Sequence, residues 1–189
     1  MVRQQDPRVV RTRASARLAV LAELAAHGYG GITMERVAHS SGIAKSTLYR
    51  HWSDVHELLA DALDHGSRQP DVEAAVGSAR DAVTRLLAHL AEAMEDDLTS
   101  GVLPAMVGAA EHDSRIAVVH HRNSARRRAR LCTAIEQGVA SGEFPAETDA
   151  ELSAWSLSGA IIARRLLDGT VFPPTEVPRL IDAVLGPAG

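Results

Sequence analysis

The twenty residues Thr33–Trp52 constrain the fold more than any other part of the chain, because they punctuate two short helices at a fixed interval. Thr33 stands where a helix N-cap needs a hydroxyl acceptor, so a helix is predicted over Met34–Ser40. Gly42 falls just past its end, where left-handed backbone closes a tight turn. Ile43 follows, and a second helix is expected from Ala44 or Lys45. Val37, Ala38, Ile43 and Leu48 are the apolar residues available to lock the pair. That leaves Lys45, Ser46, Thr47, Tyr49, Arg50 and His51 facing outward, almost all of them hydrogen-bond donors. A short helix braced by a partner and carrying a donor-rich outer face is what reading the DNA major groove requires.

These residues also carry a family resemblance. The runs Gly28–Ala38 and Ser41–Trp52, followed by Glu57-Leu58-Leu59, resemble the N-terminal domain of the TetR family of bacterial repressors. The likeness is dense from about Arg11 to Leu63, and Thr47-Leu48-Tyr49-x-His51 with an aromatic at Trp52 is its most specific part. Beyond residue 70 it reduces to a generic pattern of helices. The resemblance implies that Thr33, Tyr49 and His51 touch DNA phosphates, while Lys45, Ser46, Thr47 and Arg50 face base edges. Arg or Lys would there pair with guanine O6 and N7. Two positions depart from the family pattern. Ala44 stands where Ser is frequent, which removes a capping hydroxyl at a cost on the order of 1 kcal/mol, although its methyl suits a thymine methyl. Val55 stands where a Lys near the start of the fourth helix would meet a phosphate. The resemblance further implies an all-α homodimer paired through its last two helices. It also implies release from double-stranded DNA, a palindromic operator, by a small molecule.

Charge is distributed to suit this division of labour. Residues 1–68 hold nine Lys or Arg against seven Asp or Glu, whereas the remainder holds eleven against seventeen. A mildly basic front and an acidic back fit a DNA-binding head on a regulatory body. The chain's only lysine is Lys45. Its only cysteine, Cys132, excludes an intrachain disulfide and suits a reducing cytoplasm. The polar stretch Met1–Pro7 lacks the apolar core of a signal peptide, and no apolar run approaches the roughly 20 residues of a membrane span. A cytoplasmic protein without a membrane partner is expected. Scarce aromatics and abundant Ala, Leu and Val favour helices over sheet.

Along the chain the periodicity predicts nine helices, four in a head over 1–66 and five in a body over 67–189. Met1–Pro7 reads as an arm carrying Arg3. Val10, Ala14, Leu18, Leu21 and Ala25 would form the buried face of a first helix over Arg8–His27. A fourth helix, capped by Ser53 or Asp54, is expected to run to about His65, before the boundary Gly66–Pro70. A long stripe from Ala79 to Met94 is ended by the acidic Glu95-Asp96-Asp97, and a short helix over Val102–Ala110 carries Pro104 in its first turn. Helices over about 113–140, 148–167 and 175–185 complete the body.

The helix over 148–167 is apolar on two sides, with Leu152, Trp155 and Gly159 on one line and Leu157, Ile161 and Ile162 on another. Such a helix is buried all round or shared between partners. If the dimer seam takes Leu157 and Ile161, Trp155 and Gly159 face a ligand cavity. Leu86, Leu90 and Met94 then line another wall, Met106 closes an end, and Arg127 or Arg130 supplies an anchor for a carboxylate. That wall predicts a small hydrophobic or amphipathic effector. His112, His120 and His121 lack a His-x-x-x-His pair, so no metal site is expected there, and no cofactor motif stands out. Without a nucleophile–base triad, paired catalytic carboxylates or a Gly-rich phosphate loop, the chain reads as a regulator rather than an enzyme. The competing reading is a helical small-molecule carrier or enzyme with a vestigial DNA-binding head.

Overall fold

The computed structural model describes residues 6–66 and 77–187, and its described elements are helical. The helices are α1 (Pro7–His27), α2 (Met34–Ser41), α3 (Lys45–Tyr49), α4 (Val55–Gly66), α5 (Ala79–Glu95), α6 (Asp97–Ala110), α7 (Ser114–Ser141), α8 (Ala150–Leu167) and α9 (Val177–Leu185). Nine helices among the described residues agree with the expected all-α architecture. The arm bearing Arg3 and residues 67–70 of the expected boundary lie outside the described residues.

The chain forms two compact units, one of Met1–Arg68 with Gly101–His121 and the other of Gln69–Ser100 with Arg122–Gly189. The segment 101–121 thus groups with the head, unlike the simple division near residue 66. Local chemistry accounts for this. A Cβ placed on Gly101 would lie 3.1 Å from the Ala25 methyl, so α6 and α1 approach closely there. At the turn into α7, Tyr29 donates a 2.6 Å hydrogen bond to Asp113. Arg115 pairs with Asp113 at 3.1 Å and lies 3.7 Å from Asp54. The Arg115 hydrogen bond, then that of Tyr29, holds the Asp113 carboxyl far below the usual carboxylate range. Burial, reinforced by the facing carboxylate, pushes the Tyr29 phenol up to about 12.

In the head, α1 packs on α2 and α4. Its buried face is Ala16, Ala19, Val20 and Leu24, not the predicted one: Val10 and Leu18 are exposed, as is Ala14. Apolar residues are spread around this helix, so spacing alone selects several faces. The partner decides through Asp61 of α4, which accepts Arg17 Nε at 2.9 Å, Trp52 Nε1 at 3.0 Å and Arg13 Nη2 at 3.2 Å. Burial alone would raise the Asp61 carboxyl, but the hydrogen bonds from Arg17 and Trp52 outweigh it and leave it below its ordinary value. Asp61→Ala strands these donors and should lower stability at neutral pH by about 1–3 kcal/mol. A group with a depressed folded pKa contributes above its unfolded pKa and loses that contribution as pH falls through the folded value. The wild-type advantage should therefore shrink below the ordinary carboxylate range. Denaturant titrations of both proteins at pH 7 and near pH 3 check this.

In the second unit α5, α8 and α9 pack together. The N-terminus of α5 carries a capping box between Ser78 and Asp81. A Cβ on Gly138 of α7 would sit 2.1 Å from the Phe144 ring, so only glycine lets that aromatic close over the helix. Two boundaries differ from the sequence reading. The acidic run after α5 does not simply stop it, because Asp96 accepts the Thr99 amide at 2.8 Å and starts the next helix. Hence α6 begins at Asp97, and Pro104 lies within the helix rather than in its first turn.

Candidate nucleic-acid interface

The geometry of the site begins with Thr33, whose hydroxyl accepts the Arg36 amide at 3.2 Å and fixes the start of α2. Gly42 adopts φ +69°, the left-handed conformation that turns the chain toward α3. Val37 and Leu48 are completely buried, while Ala38 and Ile43 are half-buried beside them. Trp52 is also core, its indole tied to Asp61. Beneath α2, Arg36 donates to Glu23 at 2.9 Å and meets His27. At α4, Asp54 accepts the Glu57 amide at 2.8 Å, and Glu57 accepts the Ser53 amide at 2.6 Å. These contacts fix α2 on α1 and cap the start of α4, the elements on either side of α3.

What remains outside is the predicted set. Thr33, Ala44, Lys45, Ser46, Tyr49 and Arg50 are exposed, whereas Thr47 and His51 are half-buried. Ala44 caps α3 without a side-chain hydrogen bond, as its missing hydroxyl requires. Arg50 donates to the Thr47 hydroxyl at 3.2 Å. His51 meets Trp52 edge-on, with ring centroids 5.5 Å apart. Val55 is packed inward at the start of α4, so this position serves the core.

Sequence reading missed one member of the site. Glu35 of α2 forms an ion pair with Lys45 of α3 and accepts a hydrogen bond from it. That hydrogen bond lowers the Glu35 carboxyl and raises the Lys45 ammonium from their ordinary values. The Lys45 ammonium also lies 5.7 Å from the centre of the Tyr49 ring. Ten residues separate the two charges, so no helical spacing reveals the pair. Only the angle between α2 and α3 does.

The predicted ligand-facing residues divide differently from the expectation. Leu86 and Met94 are buried in α5 and Leu90 is half-buried there. Met106 is buried in α6, within the unit that contains the head. On α8 the two apolar lines exchange roles. Leu157 and Ile161 are completely buried, while Leu152 is 64% and Trp155 54% exposed. Trp155 therefore does not look into the protein. Its ring lies under the Arg128 guanidinium, 4.2 Å away. Gly159 belongs to the same outer stripe, and a Cβ there would meet nothing within 4 Å. Arg127 is half-buried, donates to Ser124 at 3.3 Å, and has its pKa lowered by desolvation. Asn123, one helical turn earlier, is 5% exposed and its Oδ1 has no partner. Arg130 instead lines a groove with Arg85 and Arg126, so Arg127 and Arg130 are not alternative anchors of one site.

Among the described residues, no group of three His, Cys, Asp or Glu is placed to hold a metal ion. Burial, then Glu151 and Glu136, raises the Cys132 thiol, which opposes thiolate formation. No described helix is long and apolar enough to cross a membrane.

Known proteins resemble the chain along most of its length. Residues 18–62 match the family described as bacterial regulatory proteins, tetR family. Residues 74–184 match the Tetracyclin repressor-like C-terminal domain. A Mycobacteroides abscessus protein named DNA-binding transcriptional repressor TetR is 31% identical over 180 residues, covering 92% of each chain. Among solved structures, a TetR-family regulator from Rhodococcus sp. superposes with a TM-score of 0.77 at 23% identity, covering 92% of this chain and 98% of that one. FadR from Bacillus subtilis, solved in complex with stearoyl-CoA, gives 0.76 at 13% identity over 92% and 98% of the two chains. With a helix-turn-helix head and a matching C-terminal domain in one chain, this protein belongs to the TetR family of bacterial transcriptional regulators.

Proposed function

We propose that the protein is a homodimeric repressor that leaves a palindromic operator when a small hydrophobic or amphipathic molecule binds its body. The observation that carries the DNA half is the outer face of α3, where Lys45, Ser46, Tyr49 and Arg50 are exposed around a buried Leu48. Lys45, Ser46, Thr47 and Arg50 read base edges, with the Ala44 methyl beside them, and Thr33, Tyr49 and His51 hold phosphates. Two such heads would occupy half-sites about 34–36 Å apart, one DNA turn.

The dimer forms through α8 and α9, with the outer stripe of Leu152, Trp155 and Gly159 replacing the seam expected from sequence. An apolar stripe this exposed on a helix calls for a partner, and Gly159 permits close approach. The effector occupies the interior of the body, against Leu86, Leu90 and Met94, with Arg127 as its polar anchor. A bound acyl-CoA in one structural neighbour supports a body that accepts amphipathic ligands. The effector need only prefer the arrangement whose head spacing misfits the operator; its differential affinity sets the shift.

A gel shift with the DNA upstream of the protein's own gene tests this reading. The dimer should retard that fragment but not an equally long unrelated one at the same salt, and a cell extract of small molecules should release it. Equal retardation of both fragments would defeat the operator assignment.

A further inference from the structure

We propose that the groove between α5 and α7 binds a phosphorylated small molecule, distinct from the effector of the body interior. The groove has a volume of about 580 Å³. That is the size of a small-molecule site rather than of a lone ion. Its walls bring together Arg85 from α5 with Arg126 and Arg130 from α7. Thr133 and Gln137 continue the same face of α7 at helical spacing and supply hydroxyl and amide groups.

Among the described residues the lining holds one carboxylate, Glu143, against the guanidiniums of Arg85 and Arg126, and that carboxylate is already committed. It accepts the Ala79 amide at 3.0 Å, the Arg80 amide at 3.1 Å and the Ser141 hydroxyl at 3.1 Å. The hydrogen bond from Ala79, then that from Arg80, lowers its pKa, so it stays ionised against the first two amides of α5, beside the Ser78 cap. Arg85 and Arg126 form no ion pair with any described residue. The Arg85 Nε is buried without an acceptor. A buried donor of a cationic group without an acceptor is a feature that native interiors avoid. A ligand oxygen would supply that acceptor.

Guanidinium forks match the paired oxygens of a phosphate, and two of them balance its double charge. The remainder of the ligand would face Thr133 and Gln137, which suits a hydroxylated body such as a sugar. The methyls of Ala79, Ala82, Ala129 and Ala134 line the rest of the groove and would pack against the apolar face of such a body. The shared chemistry is a phosphate ester on a polar frame, met in both sugar phosphates and nucleotides.

Calorimetry on the full-length protein tests the proposal with ribose 5-phosphate and AMP as separate probes, and with citrate as a polyanion lacking phosphate. At least one phosphate ester should bind saturably, and citrate at least tenfold more weakly. Which ester binds separates sugar phosphate from nucleotide. Arg126→Gln should weaken that binding at least tenfold, and its exposed position leaves the fold intact. Arg50→Gln, on the DNA face, should leave it unchanged. In nitrogen-15 spectra, one arginine Nε–H resonance should shift on binding and be absent in Arg85→Lys. No saturable binding, equal binding of citrate, or an unaltered Arg126→Gln titration would overturn the proposal.

Discussion

The double substitution Leu152→Glu with Trp155→Glu is expected to give a folded monomer that no longer holds its operator. Both side chains are more than half exposed on α8, whereas Leu157 and Ile161 on the opposite side are fully buried. The charges therefore enter the outer stripe without entering the core. Across the proposed seam two carboxylates facing their symmetry mates could not pair, and each dimer would carry four of them. A monomer keeps one head and half the phosphate contacts, so operator affinity should fall at least about 100-fold at physiological salt. Light scattering and fluorescence anisotropy read mass and affinity on one sample, while circular dichroism confirms the helices. Ile161→Glu serves as the contrasting variant, since it buries a charge in the protomer and should unfold it. A monomeric wild type, or a double variant that remains dimeric, would remove this seam from the mechanism.

The exchange of stripes on α8 shows where sequence reading reaches its limit. The helix itself is legible in its apolar spacing, and in the structure Asp149 caps it by accepting the Leu152 amide at 2.9 Å. A helix apolar on two sides offers two faces of similar worth, and the neighbours α5 and α9 choose between them. The choice fell on Leu157 and Ile161, and Trp155 was left outside. The same ambiguity displaced the buried face of α1, where Asp61 on another helix fixes the register through Arg13 and Arg17. The helix-turn-helix was read nearly residue by residue, because a cap, a left-handed glycine and two core residues lie within twenty positions and refer only to one another. Long-range partners escaped: Glu35 for Lys45, Tyr29 for Asp113, Glu143 for the first amides of α5. No local period connects such pairs, and the chain path alone reveals them.

Lys45→Ala should weaken operator binding about 10- to 100-fold, the worth of one good base contact of roughly 1–3 kcal/mol, and relax the preference at one base pair. Thermal stability should stay nearly unchanged, since Lys45 is exposed and its ion pair with Glu35 is a surface one. The pair makes a sharper test possible. In the free protein Glu35 holds the Lys45 ammonium, which DNA bound as proposed would have to win, and the Glu35 carboxylate would then face the phosphates. Glu35→Gln removes that competitor and that repulsion together, so it should tighten binding to operator and to unrelated DNA alike, most strongly at low salt. If its hydroxyl holds a phosphate as proposed, Tyr49→Phe should show the opposite pattern, weakening all sequences about equally. Titrations of the three variants against operator and scrambled duplexes at several salt concentrations separate these roles. If Lys45→Ala binds operator as well as wild type at matched salt, Lys45 is a surface partner of Glu35 and not a reader of bases.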